Sequence, residues 1–171
     1  MGVNRRHMGL VALLLVLAAG SAPLNDELVR AVDIAYASRG SLPYSWGGGH
    51  GRLPGPSKGT CQGYHGAIKP CPAARTRGFD CSGFARWVYE RAFGSDVLGP
   101  GNTDDHIRRM RRVDSPLPGD LVFFGTPRRT HHVGVYIGGG KMINALATGT
   151  RIRLDDVSRV RDLLGFYHYP G

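Results

Sequence analysis

Apolar residues recur at two spacings along this chain, and the change from one to the other divides it. Over residues 26–38, Leu28, Val29, Val32 and Tyr36 fall three and four apart. That spacing predicts a helix, with Asn25 as its cap and Gly40 as its stop. The next such stretch has Asp80 as cap, Cys81 in the first turn, and Phe84, Trp87, Val88 and Phe93 on one stripe. A third helix is predicted over residues 102–112. It starts at Asn102 with Asp104 and Asp105 in its first turn, and it ends on Arg108, Arg109, Arg111 and Arg112, signs that suit the helix dipole. Beyond it the pattern turns to strands. Residues 121–124 are fully apolar, as in a strand buried on both faces. Residues 132–137 and 141–146 flank three glycines and read as a hairpin. Residues 150–154 read as a strand, Asp155 or Asp156 as the start of a short helix to Leu164, and residues 165–169 as the strand that closes the sheet. Helices first and strands second predict an α+β fold with an antiparallel sheet.

Two stretches fit neither period. Arg5, Arg6 and His7 precede an apolar run over residues 8–19, then small residues at 18–22. This is the form of a secretory signal peptide, residues 1–22, cut after Gly20 or Ala22. An uncleaved signal anchor is the rival reading, but the run is short for a membrane span and no cysteine near the cut offers a lipid anchor. The remainder, residues 23–171, is read as a single domain. Within it, residues 49–79 show little periodicity, which is unusual in a compact domain unless the loop is functional or stapled.

The chain has a formal net charge of +9. An exported basic protein meets anionic wall polymers or lipid headgroups before it meets nucleic acid. Its aromatic residues lie in apolar patterns and are not interleaved with arginine, which also argues against a nucleic-acid partner.

Of the three cysteines, Cys61 and Cys71 lie in the aperiodic loop and Cys81 lies at a helix start. In an oxidising compartment the simplest arithmetic is a Cys61–Cys71 disulfide and one free thiol. A zinc site using His65 is the competitor, although the paired short spacing of zinc motifs is missing. At a helix start the unpaired N–H groups and the dipole favour thiolate, so Cys81 is either a nucleophile or a small buried side chain. A nucleophile needs a base and an orienter. If the three glycines form the hairpin loop, Ile137 pairs with Lys141. His132 and Asn144 are then diagonal neighbours on one face, about 7–8 Å apart at the backbone, and His131 points to the other face. A two-residue loop would put His132 and Asn144 on opposite faces.

Five ordered stretches, residues 44–48 (Tyr-Ser-Trp-Gly-Gly), 79–84 (Phe-Asp-Cys-Ser-Gly-Phe), 118–124, 132–138 and 141–145, resemble the motifs of NlpC-type cell-wall cysteine peptidases. The resemblance covers nearly all of residues 23–171. It implies a papain-like α+β fold, with N-terminal helices packed on the sheet, and peptidoglycan as substrate, cut between D-γ-glutamate and the diamino acid of the stem peptide. It implies Cys81 as nucleophile, His132 as base and Asn144 as orienter, where the family often has a second His. Tyr44 would line the site, and Asp80 and Ser82 would bind the amino end of the stem peptide. Asp80 also reads as a plain helix cap, and Trp46 as core. No metal or other cofactor is implied. The family joins its Trp-Gly-Gly turn to its cysteine motif by a short link, so residues 49–79 are an insertion that must emerge beside the cleft.

The expectation is therefore a secreted, wall-associated, monomeric cysteine endopeptidase, with anionic wall polymers as further partners of its basic surface and no stable membrane anchor. Its rivals are an N-acetylmuramoyl-L-alanine amidase with the same thiol chemistry, an acyl transferase, and a catalytically silent wall-binding protein.

Overall fold

The computed structural model describes residues 26–171. The expected signal peptide and the Asn25 cap lie outside the described residues. The chain runs α1 (Asp26–Ala37), β1 (Ser57–Lys58), β2 (Arg77–Gly78), α2 (Cys81–Phe93), α3 (Thr103–Ile107), β3 (Arg111–Val113), β4 (Leu121–Thr126), β5 (Arg129–Gly138), β6 (Lys141–Asn144), β7 (Arg153–Asp156) and β8 (Leu163–His168). Six strands form an antiparallel sheet in the order β3-β8-β4-β5-β6-β7, and β1 and β2 pair by themselves within the loop.

The alternation along β4 explains its unbroken apolar run. Leu121 and Phe123 face α1 and α2, where they meet Phe84, Val88 and Tyr89. Val122 and Phe124 face a smaller cluster with Met142 and Val157 on the other side of the sheet. Each of these side chains is fully buried, which stabilises the fold by roughly 1.5–3 kcal/mol apiece. Helix α2 is capped by Asp80, whose carboxylate accepts from the Gly83 N–H, and it ends at Gly94 in the left-handed conformation.

Several predicted elements moved. Helix α1 buries Leu28, Ala31 and Ala35, whereas Val29 and Tyr36 are exposed. Two alanines one turn apart let α1 approach its neighbours closely, and this outweighs the larger side chains on the next stripe. The third helix keeps its Asn102 cap and a reciprocal Asp105 contact but stops at Ile107. Arg111 and Arg112 do not end a helix; they lie on β3, paired with His168 and Tyr167 of β8. The edge of β8 offers hydrogen bonds that a longer helix would leave unmade. Asp155 and Asp156 do not start a helix either. They end β7, and only a three-residue 3-10 turn, Val157–Arg159, follows.

The hairpin reached the expected pairing by an unexpected route. Gly138 pairs with Lys141, so its loop has two residues and not three. A bulge at Ile137 then restores the alignment, with Tyr136 opposite Met142 and Val135 opposite Ile143. One extra residue on one strand cancels the one-residue slip of the shorter loop.

Candidate active site

Three segments meet at the cysteine. Helix α2 delivers Cys81 at its first residue. Strand β5 delivers His132 opposite Phe124 of β4, and β6 ends on Asn144. His132 and Asn144 are both buried. The His132 Nε2–H donates to Asn144 Oδ1 at 2.9 Å, which leaves Nδ1 as the ring nitrogen available to the thiol. Backbone N–H groups of Val133, Ser82 and Cys81 itself lie near the Cys81 sulfur. It therefore lies against the strand residue that follows His132. Cys81 and His132 line one cavity of about 410 Å³, together with Tyr44, Trp46 and His65.

A second cavity of about 390 Å³ opens on the other side of Cys81 and adds Asp80, Ser82, Asp104 and Thr130. The Asp80 carboxylate is already engaged: it caps α2, accepts from Ser82 Oγ at 3.1 Å, and lies 2.9 Å from His50 Nε2 through each oxygen. The cap reading of Asp80 is thus realised, and its carboxylate also faces the groove. His131 does not turn to the far face of the sheet. Phe124 pairs with His132 and Gly125 with Thr130, so His131 is the extra residue of a bulge, and it borders both cavities.

The loop of residues 49–79 reaches the same groove. Cys61 and Cys71 are joined by a disulfide, and Cys81 is the free cysteine. Trp46 Nε1–H donates to Gln62 O at 2.8 Å, and the Trp46 ring packs edge-on against Tyr64 and His65 with centroids 5.5 and 4.6 Å away. His65 lines both cavities. Trp46 packs against the core and also forms cleft wall.

Electrostatics at the thiol depart from the helix-start argument. Burial pushes the Cys81 thiol up, the Asp80 charge adds to it, and the three backbone N–H groups only partly offset them, leaving a value of about 12. Burial pulls His132 down to about 4, against the Asn144 hydrogen bond, which favours the charged ring. Burial and the neighbouring Cys81 and Asp80 charges likewise raise the Tyr44 phenol. At neutral pH the resting pair is thus a neutral thiol and a neutral imidazole, because desolvation disfavours both charged forms. Iodoacetamide alkylation of Cys81 without substrate is accordingly expected to accelerate steadily from pH 6 past pH 9. A plateau below pH 7, the mark of a preformed thiolate–imidazolium pair, would contradict this.

Sequence reasoning missed three contributors. His50 sits in the aperiodic loop, where nothing marked it as the partner of Asp80. Asp155 accepts from Asn144 Nδ2 at 3.0 Å, and Arg153 Nη2 lies 2.9 Å from Asp155 Oδ1. The polar–apolar–polar alternation of Arg153, Leu154 and Asp155 was a strand signal that the two adjacent acids obscured.

Helices that bring a thiol to an antiparallel sheet carrying an imidazole and an amide define a papain-like α+β protein. The chain belongs to the NlpC/P60 family, whose model matches residues 40–161. It is 36% identical over 135 residues to peptidoglycan endopeptidase RipB of Mycobacterium tuberculosis, covering 76% of this chain and 49% of RipB. It is 34% identical over 118 residues to RipA of that organism, covering 68% of this chain and 22% of RipA. The chain thus spans about half the length of RipB and less than a quarter of RipA. The solved structure of RipB matches with a TM-score of 0.61 at 33% identity, over 84% of this chain and 66% of that one. RipD of M. tuberculosis, described as a non-catalytic NlpC/p60 domain protein adapted to peptidoglycan binding, matches with a TM-score of 0.64 at 25% identity, over 84% of this chain and 97% of that one. RipA has been solved in forms mutated at a cysteine, a histidine and a glutamate. The mutated histidine and glutamate lie 12 positions apart, the separation of His132 and Asn144.

Proposed function

We propose that this chain is a secreted, wall-associated cysteine endopeptidase that hydrolyses peptidoglycan stem peptides between D-γ-glutamate and the diamino acid. The observation that carries the reading is the His132–Asn144 hydrogen bond beside a free thiol in one groove. Membership of a family whose named relatives include peptidoglycan endopeptidases supports the substrate. RipD favours a second reading, a silent wall-binding domain. A silent domain has no need of a free cysteine, a hydrogen-bonded imidazole and an orienting amide together.

In this mechanism Cys81 Sγ attacks the γ-carbonyl carbon while its proton passes to His132 Nδ1. A neutral resting pair makes this a concerted general-base step, with both charges appearing only as the bond forms. The Cys81 and Ser82 N–H groups at the start of α2, which lie near the sulfur at rest, stabilise the developing oxyanion. Collapse of the tetrahedral intermediate expels the amine of the diamino acid, which takes the proton from His132 and leaves a thioester on Cys81. A water, deprotonated by the same imidazole, then releases the D-glutamyl carboxylate. Asp80 and Ser82 hold the amino end of the stem peptide on one side of the thiol, and Tyr44 lines the groove above it. The loop of residues 49–79 walls the groove through His65 and so restricts which bond reaches the sulfur.

The test is to incubate the purified protein with defined muropeptides and mass the products. A fragment ending at D-glutamate is expected. Release of the intact stem peptide would sink this reading in favour of an amidase. Retained wall binding with no cleavage would leave the silent domain.

A further inference from the structure

We infer that Asp155 is a positioning residue that sets the ring tautomer of His132 by acting through the Asn144 amide. This rests on the proposed role of His132 as base, and it adds a member that the resemblance does not supply.

An asparagine has no fixed sense toward a histidine. Its amide presents an acceptor on one side and a donor on the other, so by itself it fits either tautomer of a histidine. An Asn144 turned the other way would donate from Nδ2 to His132 Nε2. The ring proton would then sit on Nδ1, facing the thiol, and the imidazole could not accept the thiol proton. Something must choose between the two orientations. An ionised carboxylate can only accept. Asp155 Oδ2 takes the Asn144 Nδ2–H at 3.0 Å, which turns Oδ1 toward His132 and so requires the proton on Nε2. These two contacts are the only side-chain hydrogen bonds of Asn144 among the described residues.

The fold explains why the three groups meet. Asn144 pairs with Arg153 across β6 and β7, and Asp155, two residues further along β7, lies on the same face. His132, Asn144 and Asp155 are all buried. Arg153 closes the chain, with Nε at 3.1 Å and Nη2 at 2.9 Å from Asp155 Oδ1, so one carboxylate oxygen faces the guanidinium and the other is left for Asn144. On its outer side Asp155 borders a shallow cavity walled by Lys141, Asp156 and Arg159, of which Lys141 and Asp156 pair with each other. Of the other charged or titratable groups near the ring, Cys81 and Asp80 from the start of α2, Tyr44, His65 from the loop and His131 on β5, none is hydrogen-bonded to Asn144.

The comparison with RipA supplies a second observation. At the same separation from its mutated histidine, RipA carries a glutamate. An ionised glutamate has only acceptors to offer, so it needs no further group to define its sense. Asparagine does need one, and in this chain Asp155 occupies that place.

The test uses the purified protein labelled with 15N in its imidazoles. At neutral pH, wild-type His132 is expected as the Nε2–H tautomer. In Asp155→Leu and in the isosteric Asp155→Asn, half or more of the ring should shift to Nδ1–H. On muropeptides kcat should fall about 10- to 100-fold with KM changed less than about threefold. Adding Asn144→Asp to Asp155→Asn places an acceptor-only group against the ring. It should restore the Nε2–H form and recover at least about tenfold in kcat. The inference is overturned if both Asp155 variants keep the Nε2–H tautomer, whatever their melting temperatures, or if the double variant is no better than Asp155→Asn. If Asp155→Leu does not fold, Asp155→Asn decides alone. The tautomer measurement needs no substrate, so a wrong assignment of the cleaved bond would not be mistaken for failure of the relay.

Discussion

Cys81→Ala is expected to lower muropeptide turnover by about 10⁵-fold and to leave the fold and wall binding intact. In the proposed mechanism the sulfur forms the acyl intermediate, so its loss removes the covalent route and leaves only binding and the N–H groups at the helix start. The structural cost should be small. Cys81 is half-buried at the first residue of α2, whose cap is held by Asp80 and Gly83 and not by the thiol. Losing one sulfur from a partly exposed site costs about 1 kcal/mol, or about 2–4 °C in Tm for a domain of this size. The measurements are single-turnover product masses, a pull-down on isolated cell walls and a thermal scan. The variant should then behave as RipD is described, a binding domain without catalysis. Residual turnover above about one-hundredth of wild type would show that the chemistry runs elsewhere.

Arg86→Met should produce a large loss of stability for a substitution at a polar position of α2. The guanidinium is only 1% exposed. It binds Asp96 through Nη2 at 2.6 Å and Nε at 3.0 Å, and it reaches the Gly51 carbonyl at 3.0 Å and the Arg52 carbonyl at 3.4 Å. One side chain therefore fastens the start of the 49–79 loop and the turn after α2 to the helix that carries Cys81. Methionine fills the volume but leaves the Asp96 carboxylate with only the Gly99 N–H and two carbonyls without the guanidinium, at a cost of about 3 kcal/mol. That corresponds to a fall of about 6–12 °C in Tm. Arg86→Lys should recover little, because an ammonium cannot make the forked contact. The acid dependence has a definite sign. Burial alone would raise the Asp96 carboxyl, but the Arg86 hydrogen bond and charge, with the Gly99 N–H, outweigh it and hold the group below its ordinary value. This stability is present above the unfolded carboxylate pKa and is lost as pH falls through the lower folded value. The gap in Tm between wild type and Arg86→Met should therefore narrow as pH drops through the carboxylate range. A gap below about 2 °C at pH 7 would refute the anchoring role.

The catalytic candidates were legible because each followed a local rule. A cap, a cysteine and an apolar stripe define the start of α2. Period-two alternation put His132 and Asn144 on one face once their strands were taken as a hairpin. That derivation assumed a loop one residue too long, and the bulge at Ile137 is what preserved its result. The α+β order of elements and the staple between Cys61 and Cys71 were equally local, since chain order and cysteine placement are properties of the string.

What escaped depended on contacts between segments far apart. His50 is bound to Asp80 across thirty residues of aperiodic chain. Arg86 lies off the apolar stripe of its helix and nothing local marked it, but Asp96 and the loop carbonyls close over it. Arg111 and Arg112 resembled the end of a helix until β8 claimed them as an edge strand.

The sequence by itself determined the class of fold, the candidate nucleophile and its two candidate partners, and the exceptional loop before the cysteine, because composition, spacing and alternation act over a few residues. Only the tertiary structure decided that burial keeps the thiol neutral at rest, that His65 stands in the wall of the groove, and that Asp155 stands behind Asn144. Desolvation, close approach and the sense of a buried amide each depend on which distant groups the fold brings within a few ångströms.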